Sequence, residues 1–184
     1  RIRELYDGYG ISTILVAGSS GAYFHIADHI IQMDRYVPKD ITDFAKREAA
    51  AFPAGDAPLP PAGKPNFDRR PRAGAAFRSG ERVKLKTLGR DGVSLNRETI
   101  DLRYVEQLAD SEQTAALGYC LLYAQRHLLD GRRNLRQVVE ELEALISAQG
   151  LAALCESRSS VAFLARPRRQ EIFACFNRYR GLNL

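Results

Sequence analysis

The chain has 184 residues, 45% apolar and 9% aromatic, enough for one full-sized domain or two small ones; this excludes a large multidomain machine, a disordered tail and a coiled-coil rod. Lys and Arg number 27 against 22 Asp and Glu, and the resulting charge of +5 suits anionic partners such as nucleic acid or phosphate without selecting one. Three widely spaced cysteines, Cys120, Cys155 and Cys175, form no CxxC pair, so nothing points to a disulfide framework or a zinc site, and a reducing, cytoplasmic setting is expected. No apolar run reaches the roughly 18 residues of a membrane helix and no signal pattern opens the chain, so no membrane partner is expected.

Arg1 to Tyr9 reads as the end of a helix leading into a strand, and a start at Arg1 fits a piece of something longer. Ile11 to Ala17 (ISTILVA) is β-branched and nearly all apolar, and it runs into Gly18-Ser19-Ser20-Gly21, the pattern of a strand buried on both faces of a parallel sheet and feeding a loop. His29 to Asp34 predicts a second short strand, with Pro38 stopping regular pairing after Tyr36-Val37. Two strands cannot cover both faces of a parallel sheet, so neighbours are expected in absent chain or in a partner. Asp40 or Thr42 can cap a helix over Asp43 to Ala51 that stops before Pro53.

Six of the eight prolines fall between Pro53 and Pro71, which reads as a linker or surface excursion without regular structure. Beyond it, Val83 to Leu88 and Val93 to Leu102 alternate apolar and polar residues around Gly89-Arg90-Asp91-Gly92, a hairpin with a four-residue turn. Asp110 or Ser111 caps a helix apolar on more than one face that ends near Asp130-Gly131. Asn134 caps another, with Leu135, Val138, Val139, Leu142, Leu145 and Ile146 on one stripe before Gly150. Pro167 is expected at the first position of a last helix, Arg168 to Arg180, that buries Ile172, Phe173, Phe176 and Tyr179.

Glycines at 18 and 21 expose backbone N–H groups that can cradle an anion, but the GK[ST] that supplies a lysine and a magnesium hydroxyl is lacking; Gly18, Ser19, Ser20 and Gly21 therefore read as a strand-to-helix turn, nucleotide-proximal at most. His25 and His29 stand four apart with Asp28 between them, yet no third ligand completes a metal set, and His127 near a helix end reads as a dipole partner. No GxSxG, HExxH or paired-carboxylate signature occurs, so no catalytic residue and no metal site is assigned. The charge is unevenly spread. Lys64 to Arg90 holds nine basic residues against Asp68 and Glu81, a local +7 that leaves the remainder at −2, with Phe67 and Phe77 interleaved. Arg69, Arg70, Arg72, Arg78, Lys84 and Lys86 are the candidate nucleic-acid ligands, suited to phosphate contact along a single strand; a solvated, charged loop is the plainer reading.

Ser12 to Phe24, Ile26-Ala-Asp28 and Ile31-Gln-Met-Asp-Arg-Tyr36 with Pro38 resemble the end of the ATPase core in the predicted ATPases of the ABC class, a group distinct from transporter subunits. Ile100-Asp-Leu102, Val105-Glu-Gln-Leu108, Ser111 to Gln113, and Arg169-Gln-Glu-Ile172 with Asn177-Arg-Tyr-Arg180 resemble the C-terminal blocks of that family. The resemblance implies a parent that binds ATP and Mg2+ and hydrolyses ATP, with its Walker and signature segments upstream of Arg1. Two departures stand out: Gly18 and Ser19 fall where transporter-type relatives carry a switch histidine, and His25 falls where an acidic residue is expected.

The expected fold is an α/β remnant of an ABC-type nucleotide-binding domain (1–52), a Pro/Arg-rich linker (53–80) and an α+β C-terminal subdomain of hairpin plus helices (81–184). The fragment alone is expected to lack ATPase activity and to hold no cofactor. Its expected partners are the missing N-terminal ATPase portion, RNA or DNA, and a second copy, with a dimerisation or scaffolding role for the helices as the alternative function.

Overall fold

A computed structural model describes residues 1–18, 20–52, 63–74, 77, 83–155 and 163–182, and the chain divides into two compact units, Arg1–Pro65 and Asn66–Leu184. In the first unit, helix α1 (Ile2–Tyr9) ends at Gly10, whose φ of 65° is the left-handed conformation that turns the chain so that the Ile11 N–H donates to the Leu5 carbonyl at 3.2 Å, while the Gly10 N–H keeps its helical bond to Tyr6. The expected buried strand does not form. Residues 11–17 are irregular, with Ile14 93% and Val16 97% exposed. A strand is defined by its neighbours, and a run rich in Ile and Val that meets no second strand has nothing to receive its N–H groups.

The second expected strand is present as β1 (Ile31–Asp34), but it pairs antiparallel with β2 (Val37–Asp40), the segment Pro38 was expected to exclude. The register explains the correction. Asp34 and Val37 close a two-residue turn in which Arg35 and Tyr36 both have positive φ, so the next pair, Met33 opposite Pro38, is one that exchanges no hydrogen bonds, and the N–H that proline lacks has no partner to lose. Helix α2 (Thr42–Ala51) follows, tied to the hairpin by the Ile30 N–H donating to Thr42 Oγ1 at 2.9 Å and by the Asp40 carboxylate accepting from the Thr42 N–H and hydroxyl. Among the described residues of this unit only Ala45 is fully buried.

The second unit closes around a single core. Strands β3 (Leu85–Thr87), β4 (Gly92–Leu95) and β5 (Glu98–Asp101) form an antiparallel meander in that order. The expected second hairpin strand is therefore two strands, broken at Asn96, which takes φ 56° and accepts the Lys84 N–H on its side-chain oxygen. Val93, Leu95 and Ile100 point to one face, and helix α3 (Ser111–His127) packs on it closely enough that a Cβ on Gly118 would stand 2.8 Å from Leu85 Cδ1. Helix α3 buries residues around most of its girth because α4 (Leu135–Gln149), a 3-10 turn (Leu151–Leu154) and α5 (Arg169–Arg178) also pack against it.

The two caps expected in this unit are in place, Asp110 accepting the Glu112 N–H and Asn134 and Gln137 forming a reciprocal box, whereas in the first unit Ile41, not Asp40 or Thr42, is the N-cap of α2, with no side-chain cap hydrogen bond. The last helix is shorter than expected. Arg168 is extended at φ −83° and ψ 158° and serves as the N-cap, its N–H donating to Glu171 Oε2, so Pro167 precedes the helix; Tyr179, at ψ 112°, leaves it before Gly181. Residues 66–74, inside the expected linker, belong to the second unit: Ala73 is buried, its N–H donates to the Leu129 carbonyl, and Arg72 forms a bridge with Asp130.

Candidate nucleic-acid interface

Around Gly18 there is open space, while the Phe24 ring lies against Gly21. Gly18, Ser20 and Gly21 are exposed, Ser20 Oγ accepts the Ala22 N–H at 3.3 Å, and Ser19 lies outside the described residues. Short turns over residues 22–26 follow in place of the expected helix, so no aligned helical N–H groups face an anion there. The chemistry present does not fit a triphosphate with its metal: no lysine follows the glycines, and among the described residues no three His, Cys, Asp or Glu side chains gather to hold a metal ion.

His25 and His29 part company. His25 joins Gly21, Phe24, Glu48 and Phe52 around a shallow depression of about 280 Å³, while His29 lines another with Asp28, Asp40 and Asp43. Asp28 is taken up by Arg3 at 2.7 Å, a hydrogen bond and charge contact that holds its carboxyl below the usual range.

The basic candidates fall into two groups. Arg69, Arg70 and Arg72 lie on the 66–74 segment and are engaged within the unit: Arg69 Nη2 donates to Asn177 Oδ1 at 2.8 Å, and Arg70 donates to Asp68 Oδ2 at 3.0 Å and to the Arg132 carbonyl at 3.2 Å. The stem of Arg72 lies over Gly131, where a Cβ would collide with it. Asp68, bonded by Arg70 and Asn134, is held below the ordinary carboxylate range.

Lys84 and Lys86 form the other group, exposed beside and on the edge strand β3, and neither joins an ion pair among the described residues. Lys86 pairs with Ser94, which pairs with Thr99, so a row of one cation and two neutral hydroxyls crosses the face opposite α3. Arg78 lies outside the described residues. Sequence reasoning missed Ser94 and Thr99, whose places beside Lys86 are set by the register of three paired strands, and Arg132, whose place beside Arg70 depends on chain folding over 62 residues.

Residues 84–184 match the family described as the MRB1590 C-terminal domain, and residues 1–64 match the P-loop domain of ABC ATPases. No curated protein matches the chain. The segment bearing Arg69, Arg70 and Arg72 lies between the two matched stretches. No described helix is long and apolar enough to cross a membrane.

Proposed function

The chain belongs to the ABC-class ATPases, with the MRB1590 C-terminal domain behind P-loop-domain sequence, and from that premise we propose that its C-terminal unit is the nucleic-acid-contacting part of an ATP-driven protein. The family implies ATP and Mg2+ for the intact P-loop protein; no lysine follows the glycines at 18 and 21 and no metal set gathers among the described residues, so this reading assigns catalysis to other sequence of that protein.

One observation carries the proposal: the whole basic excess falls between Lys64 and Arg90, and within that stretch Lys84 and Lys86 stand exposed beside the neutral hydroxyls of Ser94 and Thr99. Two ammonium groups spaced along an edge strand can meet successive phosphates, and the Thr99 hydroxyl can donate to the same oxygens while that of Ser94 donates to the Asn96 carbonyl at 3.3 Å; phosphate contacts carry no sequence information, which favours sequence-tolerant binding. The competing reading, dimerisation through the helices, gains little: the apolar stripe of α4 (Leu135, Val138, Val139, Leu142, Ile146) and Ile172 and Phe176 of α5 are consumed in the unit's own core.

Fluorescence anisotropy with a labelled single-stranded 20-mer tests the proposal. Binding weakens with added salt, and the double variant Lys84→Ala, Lys86→Ala binds less tightly, with a salt slope shallower by about 1.4, near 0.7 for each lost phosphate contact on a single strand. Binding that ignores salt, or a double variant indistinguishable from the parent, refutes it.

A further inference from the structure

We infer that Asn66–Gly74 is an autoinhibitory strap, in which Arg69 and Arg70 are phosphate ligands held by internal partners that single-stranded nucleic acid displaces. The inference rests on the proposed nucleic-acid contact and adds a means of regulating it.

The strap is fastened mostly by polar contacts at the surface. Its backbone joins the corner between α3 and α4 through Ala73 N–H to the Leu129 carbonyl at 2.9 Å, Gly131 N–H to the Pro71 carbonyl at 3.1 Å and Leu135 N–H to the Arg69 carbonyl at 2.9 Å. Pro71 and Ala73 are the described residues of this segment that are fully buried, so little apolar area returns to water when it lifts. Segments with few buried apolar contacts and exposed backbone hydrogen bonds are those that open below the global unfolding free energy.

Beneath the strap, Gln125 is 2% exposed; its Oε1 accepts the Gly74 N–H at 3.0 Å, but its Nε2 is buried without a partner. Opening the strap gives that donor access to water, which offsets part of the free energy of breaking the three backbone hydrogen bonds. The closed state therefore carries a built-in cost.

The partners of the two arginines are the kind a phosphate outcompetes. Arg69 is held by the neutral amide oxygen of Asn177, whereas a phosphate offers a charge-assisted, bidentate bond. Arg70 is held by Asp68, whose side chain is 60% exposed and whose attraction is screened by water and salt.

The test uses the 184-residue chain, fluorescein-labelled 20-mer oligouridine, and the variants Asn177→Ala and Asp68→Asn, neither of which alters a buried residue. Each variant is expected to bind about fivefold more tightly, the factor one net hydrogen bond represents, with an unchanged salt slope because the bound state makes the same phosphate contacts as the parent's. Hydrogen exchange at the Ala73, Gly131 and Leu135 amides is expected to accelerate together when oligouridine binds. If the parent binds and loses affinity in the Lys84→Ala, Lys86→Ala variant while Asn177→Ala and Asp68→Asn change nothing, or if bound oligouridine slows those amides, the strap inference falls and the nucleic-acid proposal stands. If neither parent nor variants bind, both fall.

Discussion

Val16 in the first unit is 97% exposed, while Val93 and Val138 in the second are at 0%. The three share one side chain and one intrinsic preference for extended backbone or core, so the difference lies in what surrounds them. Val93 has a partner strand on either side and α3 across its face; Val138 has α4's neighbours; the run around Val16 pairs with nothing among the described residues. The first unit has a helix, a hairpin and another helix, joined by the shorter-range contacts of Arg3 with Asp28 and Ile30 with Thr42. The second has the same kinds of element joined by contacts such as Arg69 with Asn177 and Glu98 with Gly181. Local signals suffice to shape elements; a core requires residues distant in the chain to meet.

Phe176 and Val16 give the largest test of that contrast. Phe176→Ala removes a fully buried ring from the second unit and is expected to cost about 3–5 kcal/mol in urea unfolding, whereas Val16→Ser in the first is expected to stay within about 0.5 kcal/mol. Equal losses from the two substitutions would mean that the first unit is as closed as the second. Asn134→Ala sharpens the comparison at the level of one helix end: losing the capping box is expected to cost about 1 kcal/mol, read as an earlier urea midpoint with an unchanged slope.

The smallest effect concerns acid. Arg103 donates through Nε and Nη2 to both oxygens of Asp101, which pulls that carboxyl from 3.8 down to about 2. A carboxyl whose folded value is depressed contributes stability above its unfolded value and loses that contribution as pH falls through the folded one. Asp101→Asn is therefore expected to flatten the decline in stability between about pH 4 and pH 2, by less than the Asn134 effect because the pair is exposed. An unaltered acid profile in the variant would show that the pair contributes nothing.

The parts of the fold legible in the sequence are those with a local cause. Asp110, Asn134 and Gly150 mark the ends of α3 and α4 because a cap acts within one turn, and the stripe from Leu135 to Ile146 marks the buried face because its period is that of the helix. The hairpin at 31–40 was half legible: the strand was there to read, but its partner was hidden by a proline whose harmlessness depends on register. The break at Asn96 shows in the sequence only as a change of phase, from Val93 and Leu95 to Ile100 and Leu102, which counting alternation within either half does not register. At the candidate interface, the charge cluster was plain in the composition, yet which cations have internal partners was not: Lys84 and Lys86 join no ion pair among the described residues, while Arg69 and Arg70 are occupied by Asn177, Asp68 and Arg132.

The sequence by itself determined the caps at Asp110 and Asn134, the stripe of α4, the uneven charge and the resemblance to the ABC class, since each is set by residues within a few positions of one another or by simple count. Only the tertiary structure decided that residues 11–17 stand unpaired, that 66–74 is a docked strap, and that one strand is two. Strand pairing and docking are properties of two segments at once, and the free energy that fixes them appears only when the second segment arrives.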